Sequence, residues 1–308
     1  MVATQSFKVR NESLHIMIHG TAIPPDFSGL QERPAALDPV VKRRVQRHVQ
    51  GQPVQQLLDS VSNEVPVALV FNGISHAVMM ATPRNLQEFA LGFSLSEGIL
   101  STPDECYGVD VVPIEADVAT GGLTAACEVR LEISSRRFSE LKERRRSLSG
   151  RTGCGVCGVE SLVSFELDTP QVTRPHWLEQ LSVNVVERAF EQLPQAQVLN
   201  QQTGSVHAAG WALPDGQLIK VMEDVGRHNA LDKLLGWRAG PGGGEAVDGF
   251  VIMSSRASYE LIRKNAFLGV CALATISAPT VLAIELAKQA NMQLYGLCRN
   301  QRVNAYVL

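Results

Sequence analysis

Residues 250–280, FVIMSSRASYELIRKNAFLGVCALATISAPT, decide the fold of this chain. The apolar run at 250–253 is typical of a buried strand, and residues 259–268 have the composition of a helix. A second strand-to-helix junction follows at 276–280, and residues 293–297 predict the next strand. Strands that alternate with helices predict a parallel or mixed sheet covered by helices, which places the protein in the α/β class, α+β overall.

Such a sheet predicts where a ligand would bind. Ligands of open α/β sheets lie beyond the carboxyl ends of the strands, where helix N-termini present free N–H groups to anions. Three segments follow strands in this way, namely 254–258, 277–280 and 297–302. The sequence therefore predicts one binding edge that these segments share.

A second notable stretch is GRTGCGVCG at residues 150–158. Its two cysteines, Cys154 and Cys157, are three residues apart among four glycines. Glycine leaves a thiol uncovered and lets the backbone take conformations with positive φ. Nearby positive charge lowers the pKa of a thiol and favours the reactive thiolate. We expect sulfur chemistry on a mobile loop; the basic residues close to the pair are Arg144, Arg145, Arg146 and Arg151.

Half of a zinc site is the alternative interpretation of this pair. Zinc with four protein ligands usually needs a second pair at short spacing, which only the fold or a dimer could supply here. A thioredoxin-like pair would start a helix in apolar surroundings, whereas this pair follows a charged helix predicted at 137–148. The remaining cysteines are isolated in mostly apolar surroundings and are interpreted as packing residues: Cys106, Cys127, Cys271 and Cys298.

Composition limits the classes of function. The chain has 308 residues, 45% of them hydrophobic, and a net charge of −3, so nothing favours nucleic-acid binding. The first 20 residues lack the apolar core of a signal peptide, and no apolar run is long enough to span a membrane. We therefore expect a cytoplasmic protein with reduced thiols and no membrane association.

The chain is predicted to hold two domains. Residues 1–60 are interpreted as a partly ordered extension, with regular structure starting near Val65. A smaller mixed α/β domain at 61–168 begins with a hairpin across Asn72-Gly73, a strong turn signal, and ends in the CxxC loop. A second domain at 176–308 contains another hairpin around 214–216 and the alternating strands and helices described above.

Two histidines are candidate ligand contacts. His207, in SVHAA, resembles the His-Ala-Glu signature of zinc deaminases, but Ala209 replaces the glutamate and serines replace the expected cysteines at 254–258. Deamination is therefore not expected, although the architecture could be retained as a pocket. His228 follows Gly226-Arg227, where a helix cap satisfied by Asp224 and Asp232 is as plausible as a ligand contact.

Taken together, these motifs resemble the FdhD family of formate dehydrogenase accessory sulfurtransferases. The resemblance covers about residues 60–308, and the combination of motifs in this order is specific. The matching segments are NLQEFALGFSLSEGI (85–99), GRTGCGVCGVESL (150–162), TGSVHAA (203–209), EDVGRHNALDK (223–233), SSRASYELIRK (254–264), residues 277–280 and the tail 296–306.

The resemblance implies a homodimer whose larger domain is a three-layer cytidine-deaminase-like fold. It implies that Cys154, assisted by Cys157, accepts persulfide sulfur from a cysteine desulfurase. It further implies that this sulfur passes to the molybdenum cofactor, in its bis-molybdopterin guanine dinucleotide form, which is then inserted into formate dehydrogenase. A cofactor chaperone without enzymatic activity, or a zinc-stabilised binding module, is the alternative.

The resemblance also implies a cofactor-binding segment. It falls on LCRNQR (297–302), where many members of the family have glycines between the arginines. We expect GDP to bind at the predicted edge as a partial mimic of the cofactor. The expected lining is Ser254, Ser255, Arg256, Ser277, Leu297, Cys298, Arg299, Asn300, Gln301 and Arg302, with His207 and His228 as further candidates.

Overall fold

The computed structural model describes residues 37–114, 126–147, 169–243 and 248–308. Within these ranges the chain is a mixed α/β protein with three β-sheets, and seven α-helices connect or cover the strands. The predicted α/β class is therefore confirmed. The three-layer cytidine-deaminase-like arrangement and the domain boundaries remain predictions.

The first sheet is an antiparallel hairpin of β1 (Val40–Arg47) and β2 (Gln55–Ser62). The expectation that regular structure starts near Val65 is therefore wrong. Most side chains of the two strands are exposed. A strand exposed on both faces does not need the alternation of polar and apolar residues that identifies a half-buried strand, which is why sequence analysis missed the hairpin.

The second sheet has the strand order β4-β3-β6-β5. The predicted turn at Asn72-Gly73 is confirmed, with φ of 43° and 82° at the two residues, because these left-handed conformations suit a tight two-residue hairpin. Strand β6 adds to β3 in parallel. The strands are β3 (Val65–Phe71), β4 (Ile74–Ala81), β5 (Cys106–Ile114) and β6 (Ala126–Ile133).

Two helices accompany the second sheet. Helix α1 (Leu86–Ser96) follows β4 after Asn85, which takes a left-handed conformation at the N-cap. Helix α2 (Ser135–Ser147) follows β6. Its end leads into residues 148–168, which contain Cys154 and Cys157 and lie outside the described residues.

The third sheet has six strands in the order β12-β11-β10-β9-β7-β8. Strands β9, β10 and β11 are parallel, whereas β12 and β7 run antiparallel to their neighbours in the group, so the predicted mixed sheet is confirmed. The strands are β7 (His207–Ala212), β8 (Leu218–Asp224), β9 (Phe250–Met253), β10 (Ala272–Thr275), β11 (Gln293–Gly296) and β12 (Asn304–Val307).

Five helices belong to this part of the chain. They are α3 (Val183–Ala196), α4 (Val198–Thr203), α5 (Arg227–Ala239), α6 (Tyr259–Phe267) and α7 (Val281–Gln289). The last three connect β8, β9, β10 and β11 in succession. Because α5 contacts α6 and α6 contacts α7, these connecting helices lie side by side.

Buried hydrophobic side chains form two clusters, one around the second sheet and one around the third. The clusters meet where α1 crosses α5, a contact region that we call the joint. Gly92 of α1 faces the backbone of α5 at Asp232, and Gly236 of α5 faces the backbone of α1 at Glu88. Neither position has room for a Cβ atom, so glycine is what allows the two helices to approach so closely.

Candidate functional site

Four strands of the third sheet end at the same edge. Because β8, β9, β10 and β11 point in one direction, the residues that follow each of them meet there. Strand β7 runs the other way and begins at this edge, with His207 opposite Asp224. We call this the carboxyl edge; its segments are 254–258, 277–280 and 297–302, as predicted, together with 225–228 and His207.

Backbone hydrogen bonds join the three predicted segments to one another. The Ser277 amide donates to the Ser255 carbonyl oxygen (3.3 Å), and the Leu297 amide donates to the Ser277 carbonyl oxygen (3.3 Å). The Cys298 amide donates to the carbonyl oxygen of Thr275, at the end of β10 (3.1 Å). The segments therefore form one connected surface.

His207 and Ser254 form a polar pair at this edge. The Ala208 amide donates to Ser254 Oγ (2.8 Å), and Ser254 Oγ lies 3.4 Å from His207 Nδ1. Burial lowers the pKa of His207, and the positive charge of Arg227 lowers it further. The imidazole is therefore held neutral near pH 7 and can act as a hydrogen-bond donor or acceptor toward a ligand.

The loop at 297–302 adopts an unusual backbone. Leu297, Asn300 and Gln301 have φ of 55°, 53° and 56°, in the left-handed region that glycine favours. Amide-to-carbonyl hydrogen bonds in both directions between Arg299 and Arg302 (3.0 and 3.1 Å) close the turn. Asn300 and Gln301 thus adopt a left-handed conformation that glycine adopts more readily.

Exposed arginines give the edge its positive charge. Arg256, Arg299 and Arg302 are all exposed. The N-termini of α5 and α6 open at the same edge; the N-cap residue of α5 is Gly226, which has no side chain, whereas in the first turn of α6 the Glu260 carboxylate accepts a backbone N–H. Guanidinium groups and free helix N–H groups are donors to phosphate, so the edge has the chemistry of an anion-binding surface.

Two of the residues predicted to line the binding edge have buried side chains. Cys298 is 3% exposed within the hydrophobic cluster, and burial raises the pKa of its thiol to about 12. Ser255 is 5% exposed, and its hydroxyl donates to the Arg256 carbonyl oxygen (3.1 Å). These residues shape the edge through their backbone, and Cys298 has no thiolate to offer at neutral pH.

His228, in the 225–228 segment of the carboxyl edge, also lines a cleft. Together with Tyr259, Glu260 and Arg263 it borders a small open cleft at the joint. His228 Nε2 lies 3.6 Å from Glu260 Oε2, and this interaction lowers the pKa of Glu260 to about 2. The expectation that Asp224 and Asp232 satisfy His228 is not supported, because both carboxylates bind other groups.

Asp224 belongs to a buried cluster that sequence analysis missed. Its carboxylate accepts hydrogen bonds from the Thr82 amide (3.0 Å) and the Gly226 amide (2.8 Å) and forms an ion pair with Lys233 Nζ (2.6 Å). Lys233 also donates to the carbonyl oxygen of Thr82 (3.0 Å). The cluster ties the segment before α1 to the end of β8.

A second buried cluster crosses the joint at the floor of the cleft. Lys264 Nζ contacts both carboxylate oxygens of Asp232 (2.9 Å each) and lies 2.7 Å from Glu97 Oε1. Ser96 Oγ donates to Asp232 Oδ1 (2.7 Å). Of the charged residues in the two clusters, Asp224, Asp232 and Lys233 lie in EDVGRHNALDK and Lys264 lies in SSRASYELIRK, so these two motifs contained the signal that the sequence offered.

Further features concern metals and membranes. Among the residues that the structure describes, no group of three or more His, Cys, Asp and Glu side chains could hold a metal ion. None of the described helices is both long and apolar enough to cross a bilayer. Cys154 and Cys157 lie outside the described residues, so the predicted sulfur site has no geometry to report.

Comparison with known proteins identified a family and a related solved structure. A family model described as the FdhD/NarQ family matches residues 62–307. A crystal structure described as that of "a putative formate dehydrogenase accessory protein from Desulfotalea psychrophila" superposes with a TM-score of 0.64 at 20% sequence identity. The superposition covers 88% of this chain and 98% of that chain. At this level of identity the likeness shows a shared fold.

Proposed function

Because the chain belongs to the FdhD/NarQ family, we propose that it is a sulfurtransferase that serves formate dehydrogenase. In this proposal a cysteine desulfurase loads sulfur onto the CxxC loop as a persulfide. The protein then delivers that sulfur to the molybdenum cofactor, bis-molybdopterin guanine dinucleotide, bound at the carboxyl edge. We further propose a cytoplasmic homodimer with a cytidine-deaminase-like fold at residues 176–308.

One observation carries the cofactor half of the proposal. Three strand ends converge with exposed Arg256, Arg299 and Arg302 and with the N-terminus of α5, whose N-cap residue Gly226 has no side chain. A guanine dinucleotide presents a pyrophosphate, which needs several charge-assisted donors at once. The neutral His207 and the backbone of the 297–302 loop add groups that could recognise the uncharged parts of the same molecule.

The sulfur step balances without an external oxidant. The Cys154 thiolate attacks the outer sulfur of the desulfurase persulfide, and the donor cysteine leaves as a thiolate. Attack of Cys157 on the inner sulfur of the Cys154 persulfide then releases sulfide and forms a disulfide. Two equivalents of an external thiol reduce that disulfide, leave as an external disulfide and restore both cysteines.

Intact-mass spectrometry tests the sulfur half. After incubation with a cysteine desulfurase and cysteine, the wild-type protein should gain about 32 Da, the mass of one sulfur atom in a persulfide. Cys154→Ala should remain at its unmodified mass, while Cys106→Ala serves as the control because Cys106 is buried. Stoichiometric zinc on the wild-type protein and no sulfur adduct would instead support the zinc-stabilised binding module.

Calorimetry with GDP tests the cofactor half. The wild-type protein should bind GDP, and Arg299→Gln/Arg302→Gln should weaken binding by roughly tenfold, since each lost charge-assisted hydrogen bond contributes about 1.5–3 kcal/mol before solvent screening reduces it. Arg130→Gln is the control because Arg130 is exposed and pairs with Glu128, and both residues lie on β6 of the second sheet, not at the carboxyl edge. Equal affinity in all three proteins would exclude the carboxyl edge as the nucleotide site.

A further inference from the structure

Two imidazole side chains at the carboxyl edge are neighbours. His207 begins β7 opposite Asp224, and His228 is the second residue of α5. The Gly226 amide donates to Asp224 Oδ1 (2.8 Å), which holds the start of α5 against the end of β8. Burial lowers the pKa of His207, as do the charges of Arg227 and His228, so the two rings lie within electrostatic reach of each other. A ligand at this part of the edge meets both.

The Ser254 hydroxyl decides which nitrogen of His207 carries the proton. Ser254 Oγ accepts a hydrogen bond from the Ala208 amide (2.8 Å) and lies 3.4 Å from His207 Nδ1. Within the described residues, Nδ1 is the one side-chain acceptor that this hydroxyl reaches, so its single proton lies toward Nδ1. The neutral ring then carries its own proton on Nε2. This Nε2–H donor has no partner in the described part of the chain and is left for a ligand.

Glu260 acts on the other ring in the opposite sense. His228 Nε2 is buried and lies 3.6 Å from Glu260 Oε2. This contact lowers the pKa of Glu260 to about 2, so the carboxylate is ionised at neutral pH and favours a proton on the nitrogen that faces it. The remaining nitrogen of His228, Nδ1, is an acceptor in the neutral ring. Nothing in the described ranges of the chain occupies it.

The two rings therefore present one donor and one acceptor side by side. A lactam, in which a ring carbonyl is next to a ring N–H, has the complementary groups in adjacent positions. Guanine has this edge at its O6 and N1–H, and a pterin ring has the same arrangement. Adenine has the two groups in the reverse order, with an amino donor and a ring-nitrogen acceptor.

The position of the exposed arginines is compatible with a nucleotide on this pair. Strands β11 and β7 are three positions apart in the sheet, or roughly 14 Å at the usual spacing of strands. Arg299 and Arg302 follow β11, and Arg256 follows β9, which lies between the two. A nucleoside diphosphate whose phosphates contact these guanidinium groups can place its base at the start of β7. Its base then meets the two histidines in one fixed order of donor and acceptor.

We propose that His207 and His228 together recognise the lactam edge of the ligand, in its guanine base or its pterin ring, an inference that rests on the proposed function for the class of ligand. His207 donates from Nε2–H to the ring carbonyl oxygen, and His228 accepts the ring N–H at Nδ1. Ser254 and Glu260 are positioning residues, because each fixes the proton of one imidazole. The exocyclic amino group of the ligand is not read by the pair.

NMR spectra of the unliganded protein with isotope-labelled histidine test the assignment of donor and acceptor. Both rings should be in the Nε2–H tautomer when they are neutral. Ser254→Ala should give His207 a mixture of tautomers and leave the signals of His228 unchanged. A wild-type protein in which either neutral ring carries its proton on Nδ1 would overturn the inference.

Calorimetry with GDP, IDP and ADP, at a pH where those spectra show both rings neutral, tests recognition. The wild type should bind GDP and IDP, which lacks the amino group, within about threefold of each other and ADP roughly tenfold more weakly. His207→Leu and His228→Leu should remove this preference. His207→Gln and His228→Asn should retain part of it, because their amides place a donor near Nε2 and an acceptor near Nδ1. His176→Leu is the control, since its side chain is 85% exposed and lies outside the carboxyl edge.

Free hydroxymethylpterin identifies which ring of the cofactor the pair holds. If the wild type binds GDP and ADP equally but the leucine variants lose the pterin, the pair holds the pterin ring. Equal binding of GDP and ADP, with pterin binding that is the same in the leucine variants, would overturn the inference alone, as would IDP binding as weak as that of ADP. A wild type that binds none of these ligands would contradict the cofactor half of the proposed function and the inference with it.

Discussion

Asp224 and Lys233 show how single residues of the EDVGRHNALDK motif act. Both side chains are completely buried, and their charged atoms lie 2.6 Å apart. Burial lowers the pKa of Lys233, while the negative charge of Asp224 opposes that shift. The pair persists because the amides of Thr82 and Gly226 and the side chain of Asn229 satisfy the carboxylate.

We expect Lys233→Met to destabilise the protein by about 3–5 kcal/mol, because it leaves the Asp224 carboxylate buried without a counter-charge. Urea unfolding followed by circular dichroism measures the change. The control is Lys288→Met, which removes an exposed lysine whose pair with Glu285 contributes little. Asp224→Asn added to Lys233→Met should recover part of the loss, and a loss below about 1 kcal/mol in the single variant would contradict the interpretation.

Helices α1 and α5 illustrate a constraint at the level of elements. Their backbones are in contact at Gly92 and Gly236, so the backbone of each helix occupies the space that a side chain at the other helix's glycine would need. Close backbone approach of this kind fixes the position of one helix against the other. The joint, with its cleft and its ion pairs, therefore depends on two positions without side chains.

Gly236→Ala should destabilise the protein by about 1–3 kcal/mol or more, since the new Cβ atom would overlap the Glu88 backbone and force the helices apart. Helix propensity alone favours alanine over glycine, so a loss of stability isolates the steric effect. Gly108→Ala is the matched control because a Cβ atom at Gly108 meets nothing within 4 Å. Thermal unfolding in which both variants match the wild type would refute the close-packing argument.

At the scale of the whole molecule, buried charges connect the two hydrophobic clusters. Lys264 of α6 reaches Glu97, directly after α1, and Asp232 of α5. Desolvation would raise the pKa of Glu97, but the positive charges of Lys264 and Arg263 outweigh it and lower the pKa. If the two clusters separated, Lys264 would lose Glu97, Asp232 would lose Ser96, and both charges would be exposed to water. The two parts are therefore expected to unfold together.

We expect one calorimetric unfolding transition at pH 7, at a lower temperature in Glu97→Gln than in the wild type. A carboxyl group with a lowered pKa in the folded state contributes stability above its unfolded pKa of about 4.3 and loses that contribution as the pH falls further. The difference between the two proteins should therefore shrink as the pH drops below about 4. Two separate transitions at pH 7, or a difference that grows in acid, would contradict this coupling.

Much of the architecture follows from local sequence patterns. The turn at Asn72-Gly73 was predictable because few residues other than asparagine and glycine tolerate left-handed conformations in succession. The alternation of apolar runs and helical segments after residue 250 predicted the mixed sheet and the edge where strand ends meet. The hairpin of β1 and β2 was not predicted, because strands exposed on both faces lack the alternation of polar and apolar residues that identifies a half-buried strand.

The family, the CxxC pair and the segments that meet at the carboxyl edge were all predictable, because each depends on residue order and short-range periodicity. That His228 faces Glu260 rather than Asp224, and that Cys298 is buried, could be learned only from the folded chain. The same holds for the bridges that Lys233 and Lys264 form between distant segments. These outcomes depend on which side chains meet across long sequence separations, and that is set by packing of the whole chain.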